Sequence, residues 1–338
     1  MNPVNPCRFA TTAAVSCLFL AATATATASN SEYRAGETPY LERQAVQEFI
    51  DERAEAGFDR EWLEELFEEA QPRQDIIDSI SSPAEALPWK DYRPIFVNER
   101  RVRRGREFME EQAEWLERAE ERFGVEPEMI TAIIGIETDY GRNTGSTRVL
   151  DALVTLGFDY PPRAAFFRSE LGHLLELAEE EDLEILDLHG SYAGAMGYGQ
   201  FISSSYRHYA VDFDDSGRRD LLNSWPDAIG SVANYFAEHD WRWGQPVVAR
   251  AEVDDHPEEL VEQGYTARFD LDELAEHGVR PAEGETVDPD GDYSLVYLEA
   301  DEGDVYYLGY PNFYVITRYN RSPLYAMAAH ELAQALYD

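Results

Sequence analysis

The sequence predicts a mainly α fold with a smaller β part, an α+β chain. Three observations carry that expectation. Residues 40–122 are rich in Glu, Arg and Leu at helical spacing. Ile130, Ile133, Ile134 and Glu137 follow the i, i+3, i+4, i+7 rule of one helix face. From 247 to 309 the pattern shifts to short runs of Val, Leu and Tyr, which suit strands. At 338 residues the chain is long enough for about two or three domains. A hydrophobic share of 44% supplies real cores.

The first 28 residues read as a secretion signal. Arg8 gives a thin positive start, 13–24 is a short apolar stretch, and Ala26-Thr27-Ala28 is an A-x-A cleavage site. The apolar run is too short to span a membrane. Cys7 and Cys17 are the only cysteines, so a chain starting near Ser29 has neither disulfide nor thiol chemistry. Ala14-Val15-Ser16-Cys17 is also a lipoprotein-type box, which would put a lipid anchor on Cys17. Of the two, soluble export to the periplasm is the expectation.

Further on, Trp62, Leu63, Leu66 and Phe67 form an apolar stripe, and Pro83, Pro88 and Pro94 punctuate a connector. Residues 105–122 read as one helix with Phe108, Trp115 and Leu116 inward. Pro127 suits the first position of the next helix, which carries Glu137 and ends near Gly141. Two helices over 146–182 flank a proline-marked loop at 158–163. Another helix runs over 228–239. Residues 294–298 and 305–308 form a hairpin around Asp301-Glu302-Gly303-Asp304. A third strand or extended return follows at 313–317, then a closing helix over 323–336.

The formal net charge of -39 excludes whole classes of partner. Nucleic acid wants a basic stripe, and anionic lipid wants a basic surface. Lys90 is the single lysine. Abundant Asp and Glu with almost no Lys suits a surface kept hydrated at high salt, which describes a habitat and not a reaction.

Glu137 is the most informative residue. A carboxyl on an apolar helix face is poorly solvated, so its pKa rises. A carboxylic acid that stays protonated near neutral pH can protonate a glycosidic oxygen. The competing reading is a buried glutamate paired with Arg142 or Arg148.

Two further stretches stand out. Residues 188–206 mix four glycines with Ser191, Tyr198 and Gln200. They read either as tight helix packing or as a groove wall with those side chains as polar contacts. Asp212-Phe213-Asp214-Asp215-Ser216-Gly217 fits the start of an EF-hand loop, with the Arg218 carbonyl at position 7. Asn223 stands where the bidentate Glu belongs, and Asp227 closes the site if the loop is longer than standard. An ordinary Asp-rich turn is the alternative.

Several long motifs occur in an order that resembles the membrane-bound lytic murein transglycosylase B family. They are Ile134-Gly135-Ile136-Glu137-Thr138, Tyr140-Gly141-Arg142, Leu150-Asp151-Ala152-Leu153 and Gly194-Ala195-Met196-Gly197-Tyr198-Gly199-Gln200-Phe201. Residues 228–236 and Thr317-Arg318-Tyr319-Asn320, with Ser322 and Tyr325, complete the set. The resemblance runs from about Tyr33 onward. It implies a lysozyme-like catalytic core, an α-helical domain, a small β-domain and an EF-hand-like loop. The implied bounds are an α-helical domain at 33–122, a core at 123–245 completed by 313–338, and a β-domain at 246–312.

The resemblance also implies cleavage of the β-1,4 bond between N-acetylmuramic acid and N-acetylglucosamine in peptidoglycan, with a 1,6-anhydro end. The family's acid maps onto Glu137. Its groove maps onto Tyr92, Arg163, Ser191, Gln200, Tyr235, Tyr319, Asn320 and Tyr325, beside Tyr198 from the glycine-rich stretch. Its structural calcium loop maps onto Asp212, Asp214, Ser216, Arg218 through its backbone, and Asp227. Peptidoglycan strands are the implied partner, a monomer is expected, and catalysis needs no cofactor. The chain departs from the family at Pro162-Arg163, where an arginine pair is usual, and at Phe166, where a hydroxyl is lost. Both departures touch preference among peptide stems, not the chemistry.

Ordinary glycosidases need two carboxylates. The nearest to Glu137 is Asp139, which points about 200° around the helix. That suits an enzyme working with one acid. A lysozyme-like muramidase, with water and a second carboxylate, and a non-catalytic peptidoglycan-binding protein are the rivals.

Overall fold

The computed structural model describes residues 32–81, 87–300 and 303–337. The secretion signal at 1–28, Cys7, Cys17 and Pro83 lie outside the described residues.

Helices dominate, as their sequences dictate. Asp59 accepts a hydrogen bond from Trp62 N and so caps the helix Arg60–Glu69. The stripe behind it buries Leu63, Leu66 and Phe67. Pro94 does not punctuate a connector. It lies inside the helix Trp89–Phe96, which starts after Pro88. As the sixth residue of that helix, Pro94 removes one ladder bond, the one to the Lys90 carbonyl, and the helix ends two residues later.

The helix expected over 105–122 is two helices, Glu99–Glu111 and Ala113–Phe123. Gln112, at φ −110° and ψ 17°, ends one and starts the other. The break lets Phe108 meet Tyr140 and Trp225 while the second helix packs on Trp225–Glu238. Trp115 is only half-buried, 6.0 Å from the Phe213 ring. The helices Val149–Asp159 and Ala164–Glu181 pack as a hairpin, and the proline loop between them is a 3₁₀ turn, Pro161–Arg163.

A four-stranded antiparallel sheet follows. Its order is Val279–Pro281, Val248–Val253, Gly303–Gly309, Ser294–Ala300. The expected hairpin is its last pair, in register from Ser294 opposite Gly309 to Ala300 opposite Gly303. Successive residues of the strand Ser294–Ala300 serve different cores. Leu295 joins a small cluster with Leu274, Val279 and Leu308, while Val296 and Leu298 join the main helical core. A sheet buried on both faces explains why this stretch is apolar without strict alternation. Each fully buried Leu, Val or Phe here stabilises the fold by roughly 1.5–3 kcal/mol.

Residues 313–317 are not a strand. They belong to the helix Pro311–Tyr319, with Pro311 at its first position. Phe313, Ile316 and Tyr319 are buried at helical spacing, and this packing overrides the strand preference of Val315, Ile316 and Thr317. The last helix, Pro323–Tyr337, packs against the helix that carries Glu137. No helix among the described residues is long and apolar enough to cross a membrane.

Candidate active site

Helix Pro127–Thr138 is more than amphipathic. Every residue from Met129 to Thr138 is buried, so Glu137 enters the core on an apolar rod. The chain then turns sharply, with Asp139, Tyr140 and Gly141 at φ 49°, 59° and 75°. Gly135 makes room for the turn. A Cβ there would come within 2.7 Å of the Tyr140 ring, which folds back over the helix. Tyr140 donates its hydroxyl to the Arg101 carbonyl at 3.0 Å, and the buried Arg101 guanidinium donates to the Gly135 carbonyl.

Glu137 is 2% exposed. Its Oε1 accepts a hydrogen bond from the Tyr325 hydroxyl at 2.6 Å, and its Oε2 is buried with no partner. Burial pushes its pKa up to about 8, and the Tyr325 bond pulls back against that rise. The pairing with Arg142 or Arg148 does not occur. Arg148 binds Asp151 at 2.7 Å and the Glu69 carbonyl, and Arg142 is exposed. Asp139 is drawn away into an ion pair with Arg104, with Arg100 at 4.0 Å. No other carboxylate among the described residues acts on Glu137.

Tyrosines surround the acid. Burial, and then the charge of Glu137, hold the Tyr319 and Tyr325 hydroxyls well above their ordinary pKa, so both remain donors. Tyr92, fully buried, adds to the same effect on Tyr325. Tyr319 donates to the Gly199 carbonyl at 2.5 Å, and Tyr235 donates to the Arg318 carbonyl at 2.5 Å. Their rings meet edge-on at 4.8 Å. Asn320 ends the helix Pro311–Tyr319, and its Oδ1 accepts from Ser322 N at 3.0 Å.

The glycine-rich stretch is a folded loop and not a packed helix. Chain lies directly on chain there: a Cβ at Gly190 would come within 2.0 Å of the Ala195 carbonyl oxygen. Ser191 is consumed in building it, since its Oγ accepts from Ala193 N at 3.2 Å and Ala195 N at 2.9 Å. Gln200 sits at φ 51°. Its amide nitrogen donates to the Gly197 and Thr144 carbonyls at 2.9 and 3.1 Å, which leaves Oε1 buried and unpartnered. Tyr198 stacks on Trp225 at 3.7 Å and 11°. Arg163 lies over the Phe166 and Phe167 rings at 4.4 and 5.2 Å, and neither contact reaches Glu137.

Sequence reading missed two participants. Trp225 forms the stack with Tyr198, and the only signal was an aromatic at the opening of a helix. Thr138 Oγ1 lies 3.1 Å from both the Ile134 and Tyr198 carbonyls and accepts from Gly141 N at 3.0 Å. Its signal was its place beside Glu137.

A second site is built on the loop before helix Trp225–Glu238. Oxygens of Asp212, Asp214 and Asp227 lie within 4.8 Å of one another. Ser216 Oγ is 3.2 Å from the Arg218 carbonyl and 3.4 Å from Asp212 Oδ1. Gly217, at φ 94°, makes the turn that gathers them. An all-oxygen set with three carboxylates fits a hard divalent cation such as calcium. Asn223 donates its amide to the Asp220 carboxylate at 3.2 and 3.3 Å instead of closing the set.

The fold and its likeness to known proteins define a lysozyme-like enzyme of the lytic transglycosylase class. The family model for the transglycosylase SLT domain matches residues 41–334. The chain belongs to that family. It is 40% identical over 309 residues to membrane-bound lytic murein transglycosylase B of Escherichia coli strain K12, covering 86% of this chain and 82% of the relative. Soluble lytic transglycosylase SltB1 from Pseudomonas aeruginosa superposes with a TM-score of 0.78 at 49% identity, covering 87% of this chain and 98% of that one. Escherichia coli lytic transglycosylase Slt35 in complex with calcium gives 0.79 at 40%, covering 88% and 94%. SltB3 from Pseudomonas aeruginosa, in complex with NAG-anhNAM-pentapeptide, gives 0.74 at 28%, covering 86% and 78%.

Proposed function

We propose that the protein is a lytic murein transglycosylase in which Glu137 serves as the single acid and base. It cleaves the β-1,4 bond between N-acetylmuramic acid and N-acetylglucosamine and leaves a 1,6-anhydromuramic end. The observation that carries this reading is the solitary carboxyl of Glu137. It is buried, raised to about 8, held at one oxygen by Tyr325 and unpartnered at the other.

Protonated Glu137 gives its proton to the glycosidic oxygen as the bond from the muramic C1 breaks. The muramic N-acetyl carbonyl stabilises the positive charge at C1. The Glu137 carboxylate then takes the proton of the sugar's own C6 hydroxyl, and that oxygen closes on C1. No water enters, and Glu137 ends protonated as it began. An intramolecular nucleophile works at very high effective concentration, so no second carboxylate is required to prepare water.

In this reading Gln200 Oε1, Tyr319 and Asn320 orient the sugar, and Tyr92, Tyr198, Tyr235 and Tyr325 line the groove. Ser191 shapes its wall, and Arg163 meets a more distant part of the strand. Calcium is held by Asp212, Asp214, Ser216, the Arg218 carbonyl and Asp227, and its role is structural. Residues 33–122, 123–245 with 313–338, and 246–312 form the helical domain, core and β-domain. The protein is exported to the periplasm as a monomer, with lipidation at Cys17 as the alternative to a free form.

The test is digestion of purified sacculi by the mature protein and by Glu137→Gln, with released muropeptides read by mass spectrometry. The expected products are one water lighter than those of a hydrolase and are absent with the variant. Hydrated reducing ends would make the enzyme a muramidase.

A further inference from the structure

The acidic loop and the glycan groove are joined by more than proximity. Asp227 Oδ2 accepts a hydrogen bond from Asp220 N at 2.8 Å. The next residue, Leu221, accepts Tyr198 N on its carbonyl at 2.9 Å. That carbonyl is pressed so closely on the groove wall that a Cβ at Gly197 would lie 2.4 Å from it. Trp225 leaves the loop two residues before Asp227 and lays its ring on Tyr198 at 3.7 Å. Its edge meets Phe108 at 4.9 Å. Both Trp225 and Tyr198 close on the chain leaving the Glu137 helix: a Cβ at Gly141 would come within 2.8 Å of one and 3.0 Å of the other. Tyr198 also meets Thr138, the neighbour of Glu137, through its carbonyl.

We propose that Trp225 is a positioning residue which, by stacking on Tyr198, carries the order of the acidic loop into the groove wall beside Glu137. The inference rests on the reading of that loop as a calcium site. Three carboxylates within 4.8 Å repel one another until a cation joins them. Asp212 and Asp214 precede, and Asp227 follows, the segment that holds Leu221 and Trp225. A cation that draws them together fixes that segment, and the segment fixes the Tyr198 ring. The wall then holds Gln200, two residues on, in its left-handed backbone.

Hydrogen exchange read by mass spectrometry tests this, on the whole protein with calcium and with chelator. Peptides covering 212–227 and 195–201 are followed in wild type, Trp225→Ala and Trp225→Phe. In wild type both segments are expected to gain protection with calcium. In Trp225→Ala the loop still gains protection but the wall loses most of its response. There kcat on murein falls roughly tenfold with little change in KM, because placement is lost and not contact area. Trp225→Phe, which keeps a stacking ring, restores both. If the wild-type loop gains protection and the wall does not, the link is wrong while the calcium site stands. If neither segment responds, the calcium site and the link fall together. If Trp225→Ala keeps both the wall response and kcat, Trp225 has no positioning role. Where the alanine variant does not fold, Trp225→Leu takes its place, since it keeps the bulk, loses the stacking ring and leaves the bond from Tyr198 N to the Leu221 carbonyl intact.

Discussion

The protein places one functional group in two opposite settings. On helix Pro127–Thr138 a single carboxyl sits among isoleucines with one hydroxyl partner and an empty second oxygen. On the loop 212–227 three carboxyls crowd within 4.8 Å, fed by backbone N–H groups of Phe213, Ser216, Gly217 and Asp220. Isolation in an apolar core favours the neutral acid, which is a proton donor. At Asp212 desolvation is outweighed by the backbone donors of Gly217 and Ser216, which favour the anion, whereas at Asp227 burial outweighs its donors and raises the pKa. Surroundings, more than residue type, assign the chemistry. Asp139 shows a third outcome only two residues from Glu137: an arginine pair takes it out of the site altogether.

The contrast breaks most visibly at Glu137. Replacing it with Gln is expected to cost roughly 10²–10⁴ in turnover, the range of a lost general acid, measured as anhydro-muropeptide release. The wild-type rate should fall as pH rises through about 8, where the proton leaves. A rate unchanged between pH 6 and roughly 10 would mean that another group supplies the proton.

The same substitution should gain stability where it loses turnover. The folded pKa of about 8 lies above the ordinary 4.5, so the native state holds the proton more tightly than the unfolded chain. Stability therefore declines as pH rises from about 4.5 to about 8 and is level, for this group, above that. Glu137→Gln removes the effect. It should unfold later than wild type by on the order of 3 kcal/mol at pH 7, with the gap closing toward pH 4.5. Denaturant titrations at several pH values check the sign. A gap that widens toward acid would show that the carboxyl is charged in the fold.

The loop should respond to calcium where the helix does not. At a hundredfold excess over Kd, calcium adds about 2.7 kcal/mol of stability, seen as a rise in Tm. Asp214→Asn should abolish most of that rise while leaving the pH behaviour of Glu137 in place. Equal midpoints in calcium and chelator would remove the metal half of the comparison.

The smallest expected effect is at Tyr325. Its hydroxyl lowers the Glu137 pKa against burial, so Tyr325→Phe should shift the alkaline limb of the pH–rate profile upward. The change is about one hydrogen bond, roughly 1 kcal/mol. A downward shift would mean that Tyr325 does not stabilise the anion.

Glu137 was legible because helical periodicity exposes a charge on an apolar face without any tertiary knowledge. The acidic cluster was legible because Asp212, Asp214 and Ser216 alternate within one short run, with Asp227 joining them from the following helix. The break at Gln112 was not, since both halves keep helical spacing and only packing against Tyr140 and Trp225 asks for a bend. Residues 313–317 misled because Val, Ile and Thr favour strands locally, while Pro311 and the burial of Phe313 and Ile316 favour a helix globally. Trp225 was hidden for a related reason. Its partners Tyr198, Phe108 and Gly141 are distant in sequence, and no spacing rule connects them.

Lys90 lies exposed on the helix Trp89–Phe96, two positions before the buried Tyr92. As the single lysine of 338 residues it is also the one side-chain amine. A succinimidyl dye at alkaline pH therefore attaches to one side chain besides the terminal amine, on the same helix as a candidate groove tyrosine, with no mutation. Such a label would report strand entry optically with the natural sequence kept.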